Sequence, residues 1–525
     1  MRGSSRRAFE WTAVGVGLFI SMAGACQSSV PAPPTPEAGV QSPASMPGSP
    51  AAAEQLARRD MFRQLVADIR SFHLFPDVWP VERWAAEVPA LEREVTGAAD
   101  RSALLVALGH VSASLRDGHL AFTPTGGWIN AGIAVIPVSF FQTASAQGPR
   151  FFIEKAAPST GLAAGDELIR YDGVEVASLL EHFAPELDRA SPTARADRLA
   201  ELLTWRKTET HPGILGSAVP LRVQRAGEFV DAAPVFVPNH PPPDPTRDPP
   251  TCPSRHRDFG AGYKLFRVSE HLCLYRGVTA RTRRYPLVRH TGFFYGGKSR
   301  IDYAAIEQDH ELLKTFLAAT PHLGGVLLDL RDNSGGHHSD LFLPWYVSGP
   351  YARTLRWVRL HPQLTDLARL SHALWSSEAA EEYVRRARAG ETWWIAPFEC
   401  SASECPPLPN ALVTQAPIAV LVGPRCKSSC DTFVKVWSDR HAGPTIGEPA
   451  AAMLTSNRYP LDVRLGDESL GQLTIALSGV RASERDPWLE GSPGPVDELV
   501  EPSWPAADYE QKMIDAAIRA LERAR

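Results

Sequence analysis

Two short apolar runs, Gly325–Leu330 and Ile418–Val422, each end in a polar turn, and they constrain this chain more than any other feature. Runs of this kind read as buried strands. Helical spacing surrounds them, near Ile301–Ala319, along a long helix near Leu370–Arg388, and near Ser429–Trp437. Alternating strand and helix predicts an α/β core with a mainly parallel sheet. In such sheets ligands bind beyond the carboxyl ends of the strands, so the turns that follow these two runs are where chemistry is expected.

The remainder divides by composition. A chain of 525 residues is too long for one hydrophobic core. From 54 to 130 apolar residues recur at helical spacing, as in Leu56, Phe62, Leu65, Ile69 and Phe72 and again in Leu104, Leu108 and Val111, predicting a small helical domain. Residues 131–238 are β-rich, with Gly-Asp and Asp-Gly turns that are hairpin signals. Residues 239–258 hold the Pro-dense stretch NHPPPDPTRDPPTCPS, a stiff connection that forms neither helix nor central strand. The α/β core then takes 259–525. A net charge of −5, with 54 basic and 59 acidic side chains and no strong block of either sign, gives no electrostatic footprint for nucleic acid.

At the start, Arg2, Arg6 and Arg7 precede an apolar stretch from about Trp11 to Ala25 and then Cys26, the pattern of a signal peptide over 1–26. Residues 27–53, rich in Pro, Ser and Ala, suit a disordered tether. Six further cysteines fall in near pairs: Cys252 and Cys273, Cys400 and Cys405, Cys426 and Cys430. An even number in an exported chain favours disulfides, although sequence does not fix their pairing. No histidine pattern accompanies them, so zinc is not expected.

In GGVLLDLRDNSGG (Gly324–Gly336), Gly335 and Gly336 would let a substrate carbonyl approach their N–H groups. Taken alone, the pair reads as a tight turn. In PIAVLVGPRCKSSCDTFVKVW (Pro417–Trp437), a strand passes through a short loop into a helix beginning near Ser428. A serine there can present its hydroxyl beside the free Ser429 N–H, or simply cap the helix; in isolation the cap is the commoner outcome.

Together the motifs resemble the tail-specific, or C-terminal processing, peptidases. LLDLRDNSGG is similar to that family's strand and turn, KSSCDTF to its T-A-S-A-A-E-I-F nucleophile motif, TIGEP (Thr445–Pro449) to its Gly-Glu, and LEGSPGPVDELV (Leu489–Val500) to its Glu-Gly and Pro-Asp stretch. The resemblance implies Ser428 as nucleophile, Asp431 in the place of the acidic residue, a ClpP/crotonase-like core, and a polypeptide substrate. GLAAGDELIRYDG (Gly161–Gly173) resembles part of a PDZ domain, which would take an extended peptide at its sheet edge. Cys26 resembles the lipidated cysteine of bacterial lipoproteins, implying a membrane anchor and a periplasm-facing envelope location, with plain secretion as the alternative. Ala23 stands where that motif usually has Leu.

One departure is decisive. The place of the family's dyad lysine falls on Met453, and a thioether cannot take a proton. Lys427 adjoins the serine and Lys435 lies two helical turns on, about 10 Å along the axis. A second branch of the family, including the tricorn-core peptidases, uses a histidine from the N-terminal domain. His119, in SASLRDGHLAFTP, matches it, although by spacing alone it reads as an exposed residue after a turn. The expectation is therefore a serine endopeptidase with Ser428 as nucleophile, His119 as base, and Ser429 N–H with Gly335 or Gly336 N–H as the oxyanion hole. Glu490 is the first candidate to orient the histidine and Asp117 the second; neither metal nor cofactor is required. The competing expectation is an inactive homologue that binds peptides or apolar ligands. The oligomeric state is not legible.

Overall fold

In the computed structural model, the described residues are 50–73, 81–125, 133–143, 148–187, 191–208, 211, 213–238, 262–269, 271–296, 301–337, 339–347, 355–374, 376–396, 412–481 and 493–524. Cys26, the tether up to residue 49, the Pro-dense connection and Glu490 lie outside them, while residues 50–53, expected as the tether's end, already belong to the helix Pro50–Phe72.

The two apolar runs form adjacent strands, Val326–Asp329 and Ile418–Val422, paired in parallel. They are central in a seven-stranded sheet ordered Tyr263–Val268, Leu272–Gly277, Leu287–His290, Val326–Asp329, Ile418–Val422, Thr445–Gly447, Glu498–Leu499. The first three strands are antiparallel and each later neighbour is parallel. Period-2 alternation assigns the faces. Val326, Leu328, Val420 and Val422 join a core with Phe433 and Trp437 of the helix Ser429–Asp439 and with Leu313 and Phe316 of Tyr303–Ala318. Leu327, Ala419 and Leu421 face Met513, Ile514, Ile518 and Leu521 of Ala506–Arg523. The mixed α/β fold with a mainly parallel sheet is thus as the sequence predicts.

The N-terminal helices Pro50–Phe72, Val81–Gly97 and Arg101–Ser114 share their core with distant chain. Phe62, Leu65, Leu108 and Val111 pack in one cluster with Tyr383, Leu461, Leu473 and Ile475. Leu56, on the same apolar spacing, is 56% exposed. The C-terminal partners are a long hairpin, Ser456–Leu465 with Glu468–Arg481, and two helices. Those helices, Leu367–Leu374 and Ser377–Arg388, replace the single helix expected near Leu370–Arg388; Ser376 starts the second by accepting the Ala379 N–H. The hairpin also pairs antiparallel with Phe122–Pro124, directly after His119. That pairing ties the N-terminal region to the C-terminal hairpin.

Residues 138–232 form a six-stranded antiparallel sheet against the helix Pro192–Thr204. Arg425, in the loop before Ser428, holds Asp197 of that helix at 2.9 and 3.0 Å.

Candidate active site

Ser428 stands immediately before the helix Ser429–Asp439, at φ 60° and ψ −122°, and its hydroxyl makes no capping hydrogen bond. L-residues rarely adopt this backbone region, and a residue held there marks a functional constraint. The ordinary cap is therefore not what this serine provides. Its amide donates to Met453 O at 3.1 Å. Its β-carbon fills the space where a side chain on Gly335 would go: a Cβ there would lie 2.8 Å from Ser428 Cβ and 2.6 Å from Lys427 O. This close approach, with φ +83°, is why position 335 needs glycine.

The two strand-end motifs are tied by Asn333. Its Oδ1 accepts the Gly335 N–H at 2.9 Å, its Nδ2 donates to His290 O at 3.0 Å, and its carbonyl accepts the Lys427 N–H at 3.2 Å. The Gly335 amide is thus already engaged and its carbonyl accepts from Phe293, so of the glycine pair Gly336 is the one left to donate. Among the described residues neither Gly336 N–H nor Ser429 N–H has a hydrogen-bond partner, and Ser429 lies in the helix's first turn, where such groups point outward.

Beneath this turn, Arg289, Asp329 and Arg331 form a buried ionic network. Asp329 accepts from Arg289 at 2.7 and 2.9 Å and from Arg331 at 2.9 and 3.0 Å, and Arg331 reaches Glu510 at 2.7 Å. Burial opposes ionisation of Asp329, but the two guanidiniums outweigh it and hold the carboxyl well below its ordinary range.

Asp431, on the first turn of the helix, is 5% exposed. It accepts Ala452 N–H at 2.8 Å and Met453 N–H at 3.0 Å. Burial pushes this carboxyl up to about 7, against those amides, the Ser428 amide and Lys427, all of which favour the anion. Asp431 and Ser428 therefore hold the N–H and the C=O of the same residue, Met453. The Met453 side chain is buried against Ala194 and Ala451. Lys435, the other lysine near the serine, is bound to Asp439 at 2.5 Å.

His119 arrives from the opposite end of the chain. Two residues beyond Met453, Thr455 Oγ1 donates to Asp117 Oδ2 at 2.6 Å across 338 residues of sequence, and His119 Nδ1 lies 3.5 Å from that hydroxyl. Asp117 is fully buried; its Oδ1 accepts His119 N–H at 2.9 Å and lies 3.8 Å from His119 Nδ1. The histidine side chain retains 12% exposure. Of the two carboxylates considered from sequence, Asp117 is the one seen beside the ring. Thr455 and Asn333 were not singled out by sequence. Asn333 sits inside the quoted motif, whereas Thr455 carries no local signal.

A cavity of about 80 Å³ adjoins the loop before Ser428, lined by Phe141, Asp197, Arg331, Arg425, Glu448 and Tyr509. Burial pushes the Glu448 carboxyl up to about 8, while Tyr509 OH, donating to it at 3.2 Å, favours the anion. Because the folded pKa is raised, the stability this group contributes is present below about pH 4.5 and lost as pH rises through about 8. Glu448→Gln should therefore melt above wild type at pH 9, by about 2–4 kcal/mol, and match it near pH 5. Equal melting at both values contradicts the assignment.

No family profile and no curated protein matches the sequence. Solved structures do match. Mature CPAF complexed with lactacystin superposes at TM-score 0.64 with 14% identity, over 90% of this chain and 98% of that one. Mature CPAF alone gives 0.62 and 13%, over 89% and 96%. The chain has the fold of these proteins along nearly its whole length. A photosystem II D1 C-terminal processing protease gives only 0.40 at 12% identity.

Proposed function

We propose that this chain is an exported serine endopeptidase that hydrolyses unfolded or tail-exposed polypeptide. The supporting observation is the convergence of three segments: the uncapped Ser428, the glycine turn packed on it, and the Asp117–Thr455–His119 contact that ends two residues from the peptide binding Ser428 N–H. Likeness of fold to CPAF and the resemblance of the motifs to tail-specific peptidases agree with it.

His119 takes the proton from Ser428 Oγ as the oxygen attacks the scissile carbonyl, then returns it to the leaving amine. Ser429 N–H and Gly336 N–H receive the oxyanion, a role worth about 3 kcal/mol per donor in other hydrolases. Asp117 orients the imidazole and is itself fixed by Thr455. Glu490, outside the described residues, is the alternative orienting carboxylate. The mechanism calls on no metal or cofactor.

The six-stranded unit, PDZ-like in its Gly161–Gly173 turns, would receive the substrate's extended tail. Cys26 would anchor the mature chain at the bacterial envelope, facing the periplasm. The Cys426–Cys430 disulfide fits an oxidising compartment. Incubation with an unfolded polypeptide such as casein tests the activity: wild type should cleave it and Ser428→Ala should not. Cleavage that persists in Ser428→Ala would refute the assignment.

A further inference from the structure

Cys426 and Cys430 are bonded to each other, closing a ring with Ser428 at its centre. Both are fully buried. Cys273 is also disulfide-bonded. A cross-link between residues only four apart restricts the unfolded chain little, since that contribution grows with loop length. Its consequence is local, and what it encloses is the one residue whose backbone sits at φ 60° and ψ −122°.

The ring is embedded in the site. Cys426 N–H donates to Gly423 O, Cys426 O accepts Ala451 N–H from the Met453 loop, and Cys430 N–H donates to Lys427 O. Without the sulfur bridge, these hydrogen bonds, with Ser428 N–H on Met453 O, would have to hold Ser428 away from ordinary backbone angles. A serine in this position has a competing state: at negative φ its hydroxyl turns back to accept an N–H of its own helix, as in a common N-cap. That state hides the oxygen, because a capping hydroxyl accepts the N–H of the second or third helical residue and so turns into its own helix.

We propose that the Cys426–Cys430 disulfide is a redox gate on Ser428. Oxidised, it holds the serine in its uncapped geometry; reduced, it lets the serine relax into a cap and closes the active site. The gate rests on the reading of Ser428 as nucleophile. Reduction consumes two electrons and two protons. One thiolate of a dithiol attacks a ring sulfur, breaks the S–S bond and forms a mixed disulfide, and the second thiol displaces Cys426 or Cys430. Two protein thiols result, and the reductant leaves as its own disulfide. Because both sulfurs are buried, this exchange waits on opening of the loop. A chain not yet exported, in a reducing compartment, is thereby held inactive until oxidation follows export.

The test compares full-length wild type with the double variant Cys426→Ala/Cys430→Ala in reduced and oxidised dithiothreitol. Three quantities are read: the rate of fluorophosphonate labelling, the free thiols at 426 and 430 by alkylation and mass spectrometry, and amide hydrogen exchange over 426–432. Reduction of wild type should slow labelling at least tenfold and speed exchange in that segment, with both restored on reoxidation. The double variant should label slowly and ignore the reductant, which separates this bridge from the disulfide at Cys273. Unchanged labelling and exchange in wild type with both thiols free overturns the gate. So does a double variant that labels at the wild-type rate. If oxidised wild type never labels although its exchange responds to reduction, the nucleophile reading fails and the gate with it. Thermal melts of each form show whether the fold persists.

Discussion

His119→Ala should lower kcat by about 10²–10⁴-fold on a peptide substrate while leaving KM and the melting temperature close to wild type. The expectation of an intact fold comes from how the residue is held. The turn at Asp117 is kept by the His119 backbone N–H on Asp117 Oδ1 and by Leu120 N–H on Asp117 O, and neither needs the imidazole. Asp117 also keeps its bond from Thr455. The ring approaches Thr455 and Asp117, and losing it should affect proton transfer more than packing. A kcat within tenfold of wild type would exclude His119 as the general base.

The second large effect concerns stability. Asp329→Ala should destabilise the protein by about 3–5 kcal/mol, because it leaves two buried guanidiniums without their shared carboxylate. Arg289 is 1% exposed and Arg331 6%, so water cannot replace the lost partner without opening the sheet. Arg331 keeps Glu510 at 2.7 Å, whereas the Asp332 carboxylate lies 3.8 Å from Arg289. Urea denaturation of wild type and variant measures the difference. A loss under about 1 kcal/mol would mean the network is not the support under the Asn333–Gly336 turn that its geometry suggests.

Local pattern carried much of this site and missed the parts assembled by long-range pairing. The strand Ile418–Val422 and the helix after Ser428 were legible because period and boundary residues are written within twenty positions. The break at Ser376 was missed, since apolar spacing continues across it while the cap acts on a single N–H. The helices before residue 115 read as a domain of their own, yet their core includes Leu473 and Ile475; periodicity shows that a face is apolar, not what covers it. The hairpin 456–481 brings Phe122–Pro124, and with it His119, to the Met453 loop, and no local signal announces a contact between residues 117 and 455.

Met453 was notable in sequence for being unable to act as a base. In the structure its backbone, not its side chain, does the work, bridging Ser428 and Asp431. Asp431 gained its meaning the same way: a motif position became a clamp on the neighbouring loop. Gly335, one of two equal candidates for the oxyanion hole, proved to be the glycine that makes room for Ser428, with its own N–H committed to Asn333.

The central claim is that Ser428 is a reactive nucleophile rather than a helix cap. Labelling folded, oxidised wild type with a fluorophosphonate and mapping the adduct by peptide mass spectrometry tests it most directly. The account predicts a single phosphonylated serine at 428, absent from Ser428→Ala and strongly slowed in His119→Ala. An adduct on another serine, or labelling that survives Ser428→Ala, would contradict it.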